Sequence, residues 1–216
     1  MVTFDQVWHV PDGETHLPSK MQRTNLRVDG RLTYQYPLYQ QGLARCRTRG
    51  VAVDVGAHVG LFSFWMVRDF TQLIAFEPVE RHRECWAANV PRRPQDVLHA
   101  CALGATEGAV ALQAVTPTSS GGSYVAGPGL IPLRTLDSFS LPAIDLLKID
   151  TEGYEREVVK GGRDTLRRCR PTCIVEQRPK QVARYKQGSL EAIRFLQRLG
   201  AEVTWTDHRD YVLVFP

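Results

Sequence analysis

A short apolar run at residues 51–55 leads through a glycine turn directly into a helical pattern. The run reads VAVDV and ends at Gly56, and apolar residues then recur at helical spacing from Val59 to Phe70. Apolar runs without polar alternation are typical of strands that are buried on both faces of a parallel sheet. This segment therefore predicts an α/β fold built on a mostly parallel sheet.

Strand and helix patterns alternate along most of the chain after residue 50. Predicted strands cover 72–76, 97–103, 144–150 and 172–176, and predicted helices cover 80–90, 154–168 and 190–199. Such alternation gives a Rossmann-like sheet with right-handed crossovers. A glycine- and proline-rich break at 109–129 predicts a hairpin or loop insertion over the active site. The tail, at 202–206 and 211–215, predicts an antiparallel hairpin.

The chain has 216 residues, of which 43% are hydrophobic, a composition that suits one globular core. Residues 1–49 are polar and show no long periodic run, so we predict an N-terminal extension at 1–49 and a single domain at 50–216.

No apolar run approaches the roughly 18 residues of a membrane span. The first residues do not resemble a signal peptide. Five cysteines without paired spacing are typical of a reducing compartment. We therefore expect a soluble, cytoplasmic protein with no membrane partner.

The glycine turn has the pattern acid-x-Gly-x-x-x-Gly, formed by Asp54, Gly56 and Gly60. Its glycines let the backbone turn tightly and approach a ligand closely. The pattern differs from the Gly-x-Gly-x-x-Gly loop that binds a pyrophosphate, and so favours S-adenosylmethionine over NAD. We expect Asp54 to accept a hydrogen bond from the ammonium group of this ligand, directly or through water.

Glu77 ends the second predicted strand, and Pro78 follows it. An acidic residue at this position in a nucleotide-binding sheet accepts hydrogen bonds from the two ribose hydroxyls. Together with the glycine turn, Glu77 indicates a nucleoside-containing cofactor.

Two charged residues, Lys148 and Asp150, interrupt an otherwise apolar central strand. Strand alternation places them on the same face, and buried charges need partners. Two interpretations remain open. The pair is either a structural ion pair or part of a catalytic site at the carboxyl end of the strand, where open α/β sheets bind ligands.

Taken in order, these motifs resemble the FkbM family of methyltransferases over roughly residues 50–180. The matching stretches are Val53–Gly60, Ala75–Pro78, Ala102–Gly104, Gly121–Ser123, Thr135–Asp137, Leu147–Gly153 and Val175–Glu176. The resemblance implies a class I methyltransferase fold. It also implies S-adenosylmethionine as the donor and a hydroxyl of a sugar or small metabolite as the acceptor.

The resemblance also implies roles for individual residues. Asp150 is the expected general base, with Lys148 holding the acceptor oxygen. Glu152 and Glu176 are expected to orient the acceptor. The expected cofactor-binding residues are Asp54, Gly56, Ala57, His58, Gly60, Glu77, Pro78, Cys101 and Ala102.

The residues leave several alternatives open. Ten basic and three acidic residues lie between Arg156 and Lys186, which fits either a solvated helix face or contact with phosphates. A methyltransferase acting on nucleic acid (ribose 2′-O or a modified base) and a non-catalytic nucleic-acid-binding module therefore remain candidates. We expect no metal, although Asp150 with Glu176 and Gln177 offers a possible Mg²⁺ set.

Overall fold

The computed structural model describes residues 1–116, 118–141 and 143–216. Within these ranges no helix is both long and apolar enough to cross a bilayer.

The first 49 residues form short elements that share a core with the rest of the chain. Trp8, Met21 and Tyr39 are buried in one hydrophobic cluster with Phe64 and Trp65. The sequence predicted an extension here and neither helix, because these helices bury too few residues for a long periodic pattern. The elements are β1 (Val2–Phe4), β2 (Trp8–Val10), α1 (His16–Thr24), β3 (Arg27–Val28), β4 (Arg31–Leu32) and α2 (Tyr36–Leu43).

The strand–helix alternation then begins as predicted, and each helix returns the chain to start the next parallel strand. The five elements are β5 (Val51–Val55), α3 (Leu61–Asp69), β6 (Gln72–Phe76), α4 (Glu80–Asn89) and β7 (Val97–His99).

A separate four-stranded sheet follows. It consists of β8 (Ala102–Leu103), β9 (Gly108–Thr116), β10 (Ser119–Pro128) and β11 (Ile131–Arg134), in the order β10-β9-β11-β8. The predicted hairpin is confirmed as the antiparallel pair β9–β10, with residue 117 of its turn outside the described ranges.

The single strand predicted over 97–103 was wrong. Its first part pairs with β6 and its second part with β11, a change of partner that an apolar pattern does not reveal.

The second half restores the alternation and ends in the predicted hairpin. The helix predicted over 154–168 is in fact two helices. Gly162 separates them and packs so closely on Leu136 that a Cβ there would lie 2.8 Å from its side chain. The elements are β12 (Leu146–Ile149), α5 (Glu155–Gly161), α6 (Arg163–Cys169), β13 (Thr172–Glu176), α7 (Pro179–Val182), α8 (Glu191–Arg198), β14 (Glu202–Asp207) and β15 (Asp210–Val214).

The central sheet has seven strands in the order β14-β15-β13-β12-β5-β6-β7. The five strands from β13 to β7 run parallel, and β15 is antiparallel to both of its neighbours. Alternate residues of these strands enter two large hydrophobic clusters, one on each face. The parallel strands therefore have their carboxyl ends at one edge of the sheet, where the predicted site residues lie.

Candidate active site

A cavity of about 340 Å³ lies at the carboxyl ends of β5, β6, β12 and β13. The strand ends and the turns that follow them form its floor. Residues of α1 and of the β9–β10 hairpin close it from above, as the sequence predicted for the hairpin. Two segments far apart in the chain therefore cover one site.

The glycine turn after β5 is built on two left-handed glycines with different functions. Gly56, at φ 75°, lines the cavity, and a Cβ there would lie 2.0 Å from the carbonyl oxygen of Asp150. Gly60, at φ 88°, starts α3, and a Cβ there would lie 2.6 Å from Val90 and 2.9 Å from Trp86. The structure thus places Gly60 against α4 and not among the cavity residues, so its predicted cofactor contact is not supported.

Glu77 lines the cavity with both carboxylate oxygens held in place. Its Oε2 accepts a hydrogen bond from the backbone N–H of His58 (2.8 Å). Its Oε1 accepts one from the backbone N–H of Val79 (2.9 Å) and lies 3.2 Å from Nδ1 of His82. Burial raises the pKa of Glu77, but the hydrogen bond from His82 and the other donors outweigh burial and lower it overall. The carboxylate is therefore ionised and oriented before any ligand arrives.

The imidazole of His58 connects the glycine turn to the hairpin. Its Nε2 lies 2.7 Å from Oγ of Ser120. Burial, and then the neighbouring His82, lower the pKa of His58 to about 3, so the ring is neutral at physiological pH. Ser120 also donates its backbone N–H to Glu14, which precedes α1. This one serine thus bonds to both the turn and the N-terminal segment.

Ala57, Pro78, Cys101 and Ala102 also line the cavity, on the same side as Glu77. Together with Gly56 and His58 they form a wall from the ends of β5 and β6 to the start of β8. The structure thus brings together most of the residues predicted to bind the cofactor.

Asp54 departs from its predicted position. Its side chain has no exposed surface and does not line the cavity. Its Oδ2 accepts a hydrogen bond from Ser63 (2.7 Å), and its Oδ1 lies 3.2 Å from Nζ of Lys148. The expected contact with the ligand's ammonium group is not supported, because the carboxylate is fully buried and already paired with Ser63 and Lys148.

Lys148 links the glycine turn to Asp150. Its Nζ donates to the carbonyl oxygen of Gly56 (2.8 Å) and lies 3.8 Å from Oδ2 of Asp150. Burial lowers the pKa of Lys148, but the charges of Asp54 and then Asp150 outweigh it, so the pKa is raised. The ammonium group is therefore charged, buried and paired, and it lies at the cavity wall.

The carboxyl groups of Asp150, Glu152 and Glu176 meet at the ends of β12 and β13, each with an oxygen within 4.8 Å of the others. Gln181 donates a hydrogen bond to Glu152, and Arg178 forms an ion pair with Glu176. Burial, and then Asp150, raise the pKa of Glu152 to about 7 and move that of Glu176 in the same direction.

The spacing of these three carboxyl groups would suit a divalent cation. The possible Mg²⁺ site also included Gln177, but the side chain of Gln177 is not part of this cluster. Its Oε1 accepts the backbone N–H of Ala192 (3.0 Å) at the start of α8. Arg178 already supplies a positive charge beside Glu176. Metal binding therefore rests on the spacing of the three carboxyl groups alone.

Sequence reasoning missed several cavity residues that come from distant segments. Lys20 and Tyr34 come from the N-terminal segment, while Arg178, Gln181 and Arg184 follow β13. Asp210 lies opposite Glu176 in the β13–β15 pairing, and burial, and then Asp150, raise its pKa to about 6. No local motif identified these residues, because only the three-dimensional fold brings them to the site.

The basic stretch from Arg156 to Lys186 lies mostly away from the cavity. Among its ten basic residues, Arg178 and Arg184 line the cavity, and both contact Glu residues there. Arg163 and Arg167 are exposed on α6. The bulk of this stretch is therefore a solvated face.

Residues 54–203 match the family model described as the methyltransferase FkbM domain. The chain belongs to the FkbM methyltransferase family. The match covers more than half of the chain and confirms the resemblance seen in its motifs. The first 53 residues, which include Lys20 and Tyr34, lie outside the matched region.

Solved structures show the same fold. The FkbM methyltransferase of Methylobacillus flagellatus matches with a TM-score of 0.50 and 18% identity, over 78% of this chain and 44% of that one. The N-methyltransferase NodS of Bradyrhizobium japonicum matches with a TM-score of 0.51 and 10% identity, over 90% of this chain and 94% of that one. The chain thus spans less than half of the first of these proteins. No curated protein sequence gives a significant match.

Proposed function

We propose that the chain transfers the methyl group of S-adenosylmethionine to a hydroxyl of a sugar or another small metabolite. The observation that carries this proposal is the position of Lys148. Its ammonium group donates a hydrogen bond to the carbonyl of Gly56 in the glycine turn after β5 and lies 3.8 Å from the carboxylate of Asp150. The glycine turn and the candidate base, Asp150, are therefore immediate neighbours.

The wall formed by Gly56, Ala57, His58 and Glu77 fits the cofactor. Gly56 brings bare backbone to the cavity wall, and the Glu77 carboxylate has lone pairs left to accept hydrogen bonds from the ribose hydroxyls. When bound, S-adenosylmethionine supplies an electrophilic methyl group on a sulfonium.

The residues at the ends of β12 and β13 act on the acceptor. Asp150 takes the proton of the acceptor hydroxyl as the oxygen becomes a nucleophile. Lys148 stabilises the negative charge that develops on this oxygen and, by binding Gly56, keeps the glycine turn beside Asp150. Glu152 and Glu176 accept hydrogen bonds from the acceptor's other hydroxyls and fix its orientation.

The charges of the cavity favour a small, neutral acceptor over a nucleic acid. Three carboxyl groups, those of Asp150, Glu152 and Glu176, line the acceptor side of the cavity. The basic side chains beside them, Lys148 and Arg178, are already paired with Asp150 and Glu176 and are not free to bind phosphates. The basic residues of α6, which could bind phosphates, lie outside the cavity.

Two measurements test the proposal. Calorimetry should show binding of S-adenosylhomocysteine and none of NAD. Labelled methyl groups should be transferred to sugars or small hydroxyl compounds from a panel that also contains nucleosides, RNA and DNA. Binding of NAD without binding of S-adenosylhomocysteine would refute the cofactor, and transfer confined to RNA or DNA would refute the acceptor class.

A further inference from the structure

Two side chains from the N-terminal segment enter the acceptor side of the cavity. Lys20 extends from α1, and Tyr34 follows β4. The Lys20 ammonium donates a hydrogen bond to the phenol oxygen of Tyr34 (3.1 Å) and lies 4.6 Å from the centre of its ring. The two residues thus form one polar and aromatic unit.

This unit has unused hydrogen-bonding capacity. An ammonium group has three donors, and one of those on Lys20 is used by Tyr34. Across residues 1–116, 118–141 and 143–216, no carboxylate lies within ion-pair distance of Lys20, and the phenol proton of Tyr34 has no protein acceptor within hydrogen-bond reach. Both residues therefore have donors available to a ligand.

The unit shares its cavity with the carboxyl groups at the ends of β13 and β12. Burial, and then Arg178, lower the pKa of Lys20, while Glu176, Asp150 and Asp210 raise it. Burial raises the pKa of Tyr34 well above its ordinary value, and Asp150 and Glu176 add to the rise. The same charged groups act on both side chains, and both side chains line one cavity with the candidate base, Asp150.

The start of α1 is fixed to the rest of the site. Oε1 of Glu14 accepts the backbone N–H of Leu17 (2.9 Å), and its other oxygen accepts the N–H of Ser120. The backbone N–H groups of Thr15 and His16 donate to the carbonyl of Thr118 (3.1 and 3.3 Å). Leu17 and Met21 are buried on either side of Lys20. Lys20 is therefore presented from a helix held at both the hairpin and the core.

We propose that Lys20 and Tyr34 bind the methyl acceptor and that the acceptor portion they bind is an uncharged ring with several hydroxyls. The inference rests on the proposed function and adds an acceptor-recognition element outside the family domain. Lys20 and Tyr34 donate to acceptor oxygens, and the carboxylates opposite accept from its hydroxyls. A sugar ring offers both kinds of group, since each hydroxyl donates one hydrogen bond and accepts others.

The test measures acceptor binding separately from methyl transfer. The protein is saturated with S-adenosylhomocysteine, and three probes are titrated by saturation-transfer NMR: methyl α-D-glucopyranoside, methyl α-D-galactopyranoside and methyl α-D-mannopyranoside. We expect the unmodified protein to bind at least one of them. Lys20→Met, which keeps most of the stem, should weaken that binding roughly 10- to 100-fold. Tyr34→Phe should weaken it about 3- to 10-fold.

Matched controls use side chains of the same type outside the cavity. Lys160→Met removes a lysine that lies 3.4 Å from Glu157 on α5, and Tyr36→Phe removes the hydroxyl of a tyrosine packed on Trp65. Both controls should bind the glycosides as the unmodified protein does. All four variants should bind S-adenosylhomocysteine with unchanged affinity, which shows that the fold and the cofactor side are intact.

The outcomes separate the two proposals. If no glycoside binds the unmodified protein, or if Lys20→Met binds glycosides as tightly as Lys160→Met, Lys20 and Tyr34 do not recognise such an acceptor. If a glycoside binds in a Lys20-dependent manner but receives no methyl group from S-adenosylmethionine, the recognition element stands and the proposed reaction fails.

Discussion

The two sides of the cavity are built in different ways. On the cofactor side, backbone N–H groups of His58 and Val79 hold Glu77, and its pKa is lowered. On the acceptor side, long side chains hold the carboxyl groups of Glu152 and Glu176, and their pKa values are raised. The first arrangement uses backbone donors, whereas the second uses side-chain donors from the segment that follows β13.

This contrast teaches where specificity can vary in such a fold. Backbone donors are set by the chain path, so the cofactor side depends little on the surrounding side chains. Side-chain donors such as Gln181 and Arg178 can be exchanged without altering the sheet. We therefore expect substitutions on the cofactor side to change donor binding and substitutions on the acceptor side to change turnover and acceptor choice.

The largest effect is expected from Asp150→Asn. The amide keeps the shape of the side chain but cannot accept the proton, so single-turnover methyl transfer should fall by about 10²–10⁴-fold. Binding of S-adenosylhomocysteine, measured by calorimetry, should change little. Near-normal transfer by a stable variant would remove Asp150 as the base and leave Glu152 and Glu176 as candidates.

Lys148→Met tests the residue that joins the two sides. It leaves the fully buried Asp54 without its ammonium partner, so the free energy of unfolding in urea should fall by about 3–5 kcal/mol. Ser63→Ala, which removes one hydrogen bond to the same carboxylate and the acceptor of the Trp86 indole N–H, should cost less, about 1–3 kcal/mol. A Lys148→Met variant of normal stability that no longer transfers methyl groups would show a role confined to the reaction.

On the cofactor side, Glu77→Ala removes charge-assisted hydrogen bonds to the ribose. S-adenosylhomocysteine should bind about 1.5–3 kcal/mol more weakly, as measured by calorimetry. Glu80→Ala provides the control, since Glu80 is exposed at the start of α4 and does not line the cavity. Equal affinity in the two variants would contradict the assignment of Glu77.

The raised pKa of Glu152, about 7, predicts a pH dependence that belongs to the acceptor side. Below pH 7 this carboxyl group is protonated. Above pH 7 it is ionised and accepts hydrogen bonds from the hydroxyls of the methyl acceptor. The value of kcat/KM should therefore rise through about pH 7 in the unmodified protein, and Glu152→Gln should lose this step. An unchanged profile in the variant would mean that another group titrates there.

The smallest effect is expected from the solvated face. Reversing two charges, with Arg163→Glu and Arg167→Glu, should leave methyl transfer and its salt dependence unchanged, because both residues lie outside the cavity. A marked loss of transfer would restore the nucleic-acid alternative, in which these residues neutralise phosphates.

The cofactor side was largely predictable from the sequence because its geometry follows from adjacent residues. A glycine turn and a strand-end acid predicted Gly56 and Glu77 as site residues, and both line the cavity. The same reasoning misplaced Asp54 and Gly60, since their neighbours, Lys148 and α4, are set by tertiary packing.

On the acceptor side, Asp150 and Lys148 were predictable from charges within an apolar strand. Lys20, Tyr34 and Asp210 were not, because they come from a polar N-terminal segment and from a C-terminal strand. Likewise, no sequence pattern showed that the strand predicted over 97–103 changes partner between β7 and β8. Local sequence motifs predict backbone turns well, but they do not predict which distant segments of the chain contact one another in the fold.

The position of Ser120 has a consequence for the timing of the reaction cycle. Its hydroxyl bonds to His58 beside the cofactor wall, and its N–H bonds to Glu14 at the start of α1. Opening the hairpin breaks both contacts together, and it also loosens the helix that carries Lys20. Entry of the donor and capture of the acceptor are then not independent events. A hairpin that moved during the reaction cycle would therefore couple the two sides of the cavity through Ser120.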